Sequence, residues 1–202
     1  MPGTFSTFFG GTMSEAYELK EDRKFTYADY KEWELKPGER YEIIYGEAYA
    51  MSAPNFTHQQ IVTMLTGEFY AFLKGKPCRV IAPPFDVRLF YEEDESDDTV
   101  VQPDLVVVCD REKLGPEACR GAPDLVVEIL SPSNTKTEMN RKFKLYQEAG
   151  VREYWVVDPE TKSITVHLFQ ENKIITHTYG STGTAPVSIL PGFEITLDDV
   201  FT

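Results

Sequence analysis

Two segments of nearly the same composition, Pro103-Asp104-Leu105-Val106-Val107-Val108 and Pro123-Asp124-Leu125-Val126-Val127-Glu128, set acids at the ends of apolar, β-branched runs. Runs of this kind form buried strands. A carboxylate inside one is costly unless it is paired, protonated or bound to a metal. If the two strands are antiparallel neighbours, the start of one lies beside the end of the other. That pairing sets Asp104 next to Glu128 and leaves Asp124 at the opposite, exposed edge. Two carboxylates converging at a sheet edge suit a hard divalent cation, Mg²⁺ or Mn²⁺.

A helix predicted over 136–149, and stopped by Gly150, supplies a cation. At about 100° per residue, Met139, Phe143, Leu145, Tyr146 and Ala149 form one apolar stripe. Lys142 falls near its centre, whereas Lys144 points away. A lysine on an apolar face snorkels, pairs with an acid or serves a site. Near Asp104 and Glu128, its ammonium could position a water nucleophile or stabilise charge developing on a phosphate. Alanine at Lys142 is then expected to abolish activity with little loss of folding.

Other residues are weaker candidates. Gly46 permits a sharp turn that could aim Glu47 inward as an additional acid; the competing reading is an exposed hairpin acid. His58, at a predicted helix start, either touches substrate or caps the helix. Ser131 and Ser133 flank Pro132 and either bond phosphate oxygens or shape the turn. Serine-nucleophile chemistry is not expected, because the chain has no Gly-x-Ser-x-Gly elbow.

The elements that must hold these residues follow from pattern. A short helix is predicted over Thr26 to Trp33, and a hairpin over Tyr41–Tyr45 and Glu47–Met51. A helix capped by Thr57 runs from His58 to about Lys74. Strands follow at about Arg79–Ala82, Phe85–Phe90, Val101–Cys109 and Asp124–Leu130, then the 136–149 helix and a strand at Glu153–Asp158. The tail from Ile164 to Ile195 reads as an antiparallel meander. The order predicts an α/β (α+β) chain with a mixed β-sheet flanked by helices. Residues 1–24 read as a loose extension and 25–202 as a single domain.

The formal net charge is −13. A nucleic-acid binder usually carries a basic footprint, so this weighs against tight non-specific binding by a monomer. Part of the acidity lies in Glu92-Glu-Asp-Glu-Ser-Asp-Asp98, read as a solvated loop. Lys136, Arg141, Lys144 and Arg152 could form a basic groove in a homodimer. Apolar runs are too short to span a bilayer, and no basic leader precedes the first of them. Cys78, Cys109 and Cys119 lack a Cys-x-x-Cys spacing and read as reduced thiols of a cytoplasmic protein.

Pro103-Asp104, Glu128 and a nearby lysine resemble the restriction-endonuclease-like PD-(D/E)XK nucleases. The lysine of that motif stands two residues after the acid, where this chain has Leu130; Lys142 is the natural substitute. A closer resemblance runs from Tyr41 to Pro159. It rests on Tyr41-Glu-Ile-Ile-Tyr-Gly-Glu47, His58-Gln59, Phe85-Asp-Val-Arg88, Val101-Gln-Pro-Asp104, Pro123-Asp-Leu-Val-Val-Glu128-Ile-Leu-Ser-Pro-Ser133, Lys142-x-x-x-Tyr146 and Ala149-Gly-Val-x-Glu-Tyr-Trp-Val-Val-Asp-Pro159. These blocks are similar to the Uma-type endonucleases. The resemblance implies a restriction-endonuclease-like fold and a metal-dependent phosphodiesterase site made by Asp104, Glu128 and Lys142, with Glu47 as a further acid. DNA is the expected substrate. The alternative is an interaction protein that keeps the nuclease fold without cleaving.

Overall fold

The computed structural model describes residues 23–201. Residues 1–22, most of the expected extension, lie outside that range. Its last two residues, Arg23 and Lys24, are tied down by the Asp29 carboxylate and the Tyr45 carbonyl. Helix α1 (Tyr27–Lys31) is held by a reciprocal cap between Thr26 and Asp29. The hairpin β1 (Tyr41–Ile44) and β2 (Glu47–Ala50) turns at Gly46, whose positive φ and close packing against Lys24 leave no room for a side chain.

Helix α2 (Phe56–Leu73) starts two residues before the expected start at His58. Asn55, not Thr57, satisfies the first turn, its Oδ1 accepting the His58 N–H at 2.9 Å. Strands β3 (Arg79–Ile81) and β4 (Asp86–Arg88) follow. The single strand expected over 101–109 is two strands, β5 (Val100–Val101) and β6 (Leu105–Val108), belonging to different sheets. Pro103, which has no N–H to give a ladder, lies in the break. A short strand β7 (Ala118–Arg120) that the sequence reading missed precedes β8 (Leu125–Ile129).

Helix α3 (Lys136–Ala149) then crosses to β9 (Glu153–Asp158), which lies parallel to β8. Strands β10 (Ser163–Gln170) and β11 (Lys173–Tyr179) extend the sheet as a meander. A separate pair, β12 (Thr184–Pro186) and β13 (Glu194–Thr196), leads into the final turn α4 (Leu197–Val200). The central sheet has the order β11-β10-β9-β8-β6-β3, and a second sheet has the order β2-β1-β5-β4-β7. The expected mixed sheet flanked by helices is present, but it is accompanied by this second mixed sheet. The helix cap at Gly150 is as expected, with φ of 89° and open space around it. Gly150→Ala should therefore meet no steric clash with a neighbour but only the strain of a left-handed backbone, about 1 kcal/mol by urea unfolding.

Alternation divides the central sheet into two buried faces. Leu105, Val107, Leu125 and Val127 pack against α2, whereas Val106, Val108 and Val126 pack against α3 and the second sheet. Glu128 has the parity of Val126 and so turns toward α3. Strands β6 and β8 pair antiparallel with Leu105 opposite Val127, which puts Asp104 opposite Glu128.

Three further expectations are corrected. Asp124 is not exposed: it is half-buried, takes the Cys109 N–H at 2.7 Å and pairs with Arg152 at 3.1 Å. Within the acidic loop, Asp97 is buried in a bidentate pair with Arg88, because that guanidinium needs a counter-charge below the Tyr27 and Tyr91 rings. Cys78 and Cys109 form a disulfide rather than free thiols. They flank β3 and β6 at facing register positions, since Arg79 pairs with Val108. Only Cys119, buried, remains a thiol among the described residues. That removes the argument from free thiols for a reducing compartment. No helix among the described residues is long and apolar enough to cross a membrane.

Candidate active site

The two Pro-Asp repeats do the same backbone task. Asp104 Oδ2 accepts the Ile129 N–H at 2.7 Å, just as Asp124 Oδ2 accepts that of Cys109. Each aspartate thus accepts an N–H of the neighbouring strand two residues beyond the last paired residue of the β6–β8 ladder, a position that would otherwise leave a backbone donor unpaired. The symmetry ends there. Asp124 faces an exposed arginine, whereas Asp104 faces Glu128 and a buried lysine.

Lys142 is buried and donates to Glu128 Oε1 at 2.9 Å. It also lies 3.0 Å from Glu42 Oε2 and 3.1 Å from Glu42 Oε1. One helical turn further on, the Tyr146 hydroxyl donates to the same Glu128 oxygen at 2.5 Å. The spacing of four residues puts both donors on one face of α3. Glu42, on β1, is itself held by the Gln102 N–H at 3.0 Å. Gln102 is anchored in turn, its side-chain amide reaching Asp86 at 2.8 Å and Tyr30 at 3.1 Å.

Burial pushes the Glu128 carboxyl up to about 7; Lys142 opposes that shift, Glu42 and Asp104 add to it, and the Tyr146 hydrogen bond opposes it. Burial acts against the Lys142 ammonium, but the Glu128 and Glu42 carboxylates outweigh it and hold the lysine above its ordinary range. Lys142 is therefore a fixed positive charge and has no free base form near neutral pH. Burial and the same carboxylates keep the Tyr146 hydroxyl protonated, well above the usual tyrosine range.

His58 stands behind Asp104. Its Nε2 lies 3.1 Å from Asp104 Oδ2; a carboxylate accepts, so the hydrogen sits on Nε2. The opposite ring nitrogen, Nδ1, is buried without a hydrogen-bond partner. This contact holds the Asp104 carboxylate rather than capping the helix. Ser131 lies on the site wall but is occupied in the turn into α3: its N–H and hydroxyl both donate to Asn134 Oδ1, at 2.7 and 3.0 Å. Glu47 is not brought in. It is an exposed hairpin acid bonded to the Tyr49 hydroxyl at 2.6 Å, and that bond lowers its pKa.

The acid that joins the site is Glu42, which the sequence reading passed over. The signal was parity: Glu42 precedes Ile44 by two in β1, and Ile44 is buried toward α3. The basic residues expected to line a groove between two subunits stand apart within one chain. Arg141 stacks on Tyr49 and lines the site, whereas Arg152 pairs with Asp124 at the far end of the sheet.

These side chains line a cleft of about 450 Å³ that includes Glu42, His58, Asp104, Glu128, Arg141 and Lys142. No group of three or more His, Cys, Asp or Glu side chains among the described residues is arranged to hold a metal ion. The donor set still fits a hard cation of the Mg²⁺ type, which binds through one or two carboxylates and keeps several waters. Asp104 Oδ1 and Glu128 Oε2 carry no hydrogen bond among the described residues, while their sister oxygens are engaged. The site thus combines two available carboxylate oxygens, a fixed ammonium and a cleft open to solvent.

The family model Uma2, described as "Putative restriction endonuclease", matches residues 27–198. An uncharacterized protein of Synechocystis sp. is 26% identical over 149 residues, 74% of this chain and 75% of the relative. A crystal structure described as that of "a putative nuclease belonging to DUF820" from Anabaena variabilis superposes with a TM-score of 0.70 at 19% identity. It covers 88% of this chain and 97% of that one. At that identity the likeness shows the shared fold.

Proposed function

Since the chain belongs to the Uma2 family, we propose that it is a divalent-metal-dependent endonuclease that hydrolyses phosphodiester bonds of DNA. The observation that carries this reading is the convergence of Asp104, Glu128 and Lys142 on one cleft, at the end of the central sheet where β6 begins and β8 ends. Asp104 and Glu128 would hold Mg²⁺ or Mn²⁺, which would supply a Lewis acid for the phosphate oxygens and acidify a bound water. Lys142 stabilises negative charge building on the phosphate, since it stays protonated. Tyr146 and Glu42 fix the lysine and Glu128 so that little reorganisation is needed at reaction. His58 and the Ile129 N–H hold one Asp104 oxygen and leave the other available.

The test is nicking of a supercoiled plasmid by the purified full chain with Mg²⁺ or Mn²⁺, against a chelator control. Metal-dependent nicking supports the proposal. Absence of nicking, with the Lys142 cluster intact, favours an interaction protein retaining the fold; the observation on that side is that Lys142 is already satisfied by two carboxylates.

Glu128 must be ionised to bind a cation, so Mn²⁺ affinity should fall about tenfold for each pH unit below its pKa of about 7. Tyr146→Phe removes a hydrogen bond that favours the carboxylate, and should move this profile to higher pH. Calorimetric Mn²⁺ titrations of both proteins across pH check it; coincident profiles would remove Tyr146 from the site.

A further inference from the structure

We propose that a second cavity, beside the first, is a nucleobase subsite for an unpaired, amino-bearing base of the substrate strand. The inference rests on the nuclease reading above and names the form of nucleic acid that the site would take. The cavity, about 550 Å³, falls in the size range of small-molecule sites. It shares Ser131, Asn134 and Thr135 with the first cleft, so the turn into α3 forms the partition between them.

The two cavities differ in chemistry. The first is lined by three cations, Arg40, Arg141 and Lys142, and by four acids, Glu42, Asp104, Glu128 and Glu138, a mixed set that suits a phosphate bound together with a metal ion. The second has Lys136 as its only cation and both Asp158 and Glu160 as acids, which disfavours a phosphate. Its lining instead combines apolar surface from Leu130, Met139 and Pro159 with the side chains of Asn55 and Asn140. A flat, neutral ring with polar edges fits that combination.

The polar groups have capacity to spare. Asn55 uses its carbonyl oxygen on the His58 N–H, which leaves its NH₂ group to donate. The Asn140 side chain makes no hydrogen bond among the described residues. Asp158 Oδ1 accepts the N–H groups of Glu160 and Thr161, and Oδ2 has no such bond. An asparagine amide reads an adenine edge through one donor and one acceptor, and a carboxylate accepts from an exocyclic amine. An amide can read the adenine N6/N7 edge in a duplex groove, but a cavity that receives the ring itself cannot admit a base that is still stacked in a duplex. The base must therefore come from a single strand or be extruded.

The test is NMR titration of the full chain with dAMP, dTMP and abasic deoxyribose 5-phosphate, with Asn140→Ala alongside. We expect dAMP to perturb the side-chain amides of Asn55 and Asn140. It should bind at least about tenfold tighter than dTMP or the abasic phosphate, and lose about tenfold in Asn140→Ala. Equal binding of the three ligands, or an unaltered dAMP affinity in Asn140→Ala, overturns the subsite. Mn²⁺ calorimetry on the same samples separates the two claims. Base-dependent binding without Mn²⁺ binding would sink the nuclease reading and leave the subsite standing. Mn²⁺-dependent cleavage without base dependence would do the reverse.

Discussion

Replacing Lys142 by methionine is expected to abolish cleavage and to cost about 3–5 kcal/mol of stability at neutral pH, because it strands two buried carboxylates. Glu42 and Glu128 both contact the ammonium, and both are buried. Without it they repel each other while both remain buried beneath the cleft floor. The loss should depend on pH. The Glu128 pKa of about 7 in the folded chain lies above its ordinary 4.5, so the native state binds more protons than the unfolded chain between those values. The Glu128 contribution to stability therefore falls as pH rises through that window. In Lys142→Met the attractive partner is gone and the carboxyl is raised further, so acidification should recover much of the stability.

Urea unfolding at neutral and mildly acidic pH measures this. The double variant Glu42→Gln with Lys142→Met should regain part of the loss at neutral pH, while cleavage stays at least about 100-fold down. An unchanged unfolding midpoint in Lys142→Met would mean that the lysine is not neutralising the pair. Cleavage that survives in a folded variant would remove Lys142 from the chemistry. The burial of Lys142 between two carboxylates argues against its removal with little loss of folding, since the same charge serves the fold and the site.

Asp104→Asn is the second large effect, and Asp124→Asn is its internal control. Both aspartates accept one backbone N–H across the β6–β8 pair, and an asparagine carbonyl can take over that bond. Each substitution should therefore cost about 1 kcal/mol or less in folding. Only Asp104→Asn removes a negative charge from the cleft. Mn²⁺ affinity and nicking should fall by more than about 100-fold, since even indirect supports of a metal are worth about 10–100-fold. Asp124→Asn loses a pair with Arg152, which is 61% exposed, and should leave Mn²⁺ binding unchanged. Equal effects of the two substitutions would show that the repeated motif is structural at both ends.

Much of this was readable from local chemistry. The β-branched runs and the Gly150 stop of α3 follow from period and turn residues, as does the apolar stripe that carries Lys142. The antiparallel pairing, which the sequence leaves as a condition, is the one that sets Asp104 against Glu128. These features depend on interactions within a strand pair or one helix turn, where periodicity of two or of about 3.6 residues decides which side chains share a face. The resemblance blocks also have visible structural roles: Asp86 and Gln102 belong to the network behind Glu42, and Arg88 closes the acidic loop through Asp97.

What the chain alone left open was the partner of each buried charge. Sequence patterning determined that Asp104, Glu128 and Lys142 needed a reason to be in apolar surroundings, and that the two strands could bring the carboxylates together. Only the tertiary structure decided that Glu42 rather than Glu47 joins them, that His58 holds Asp104, and that Cys78 meets Cys109. Those choices depend on how the second sheet and α2 dock on the central one. The contacts concerned span 100 residues between Glu42 and Lys142 and 46 between His58 and Asp104. No local period encodes such distances; they follow from burying both faces of the central sheet at once.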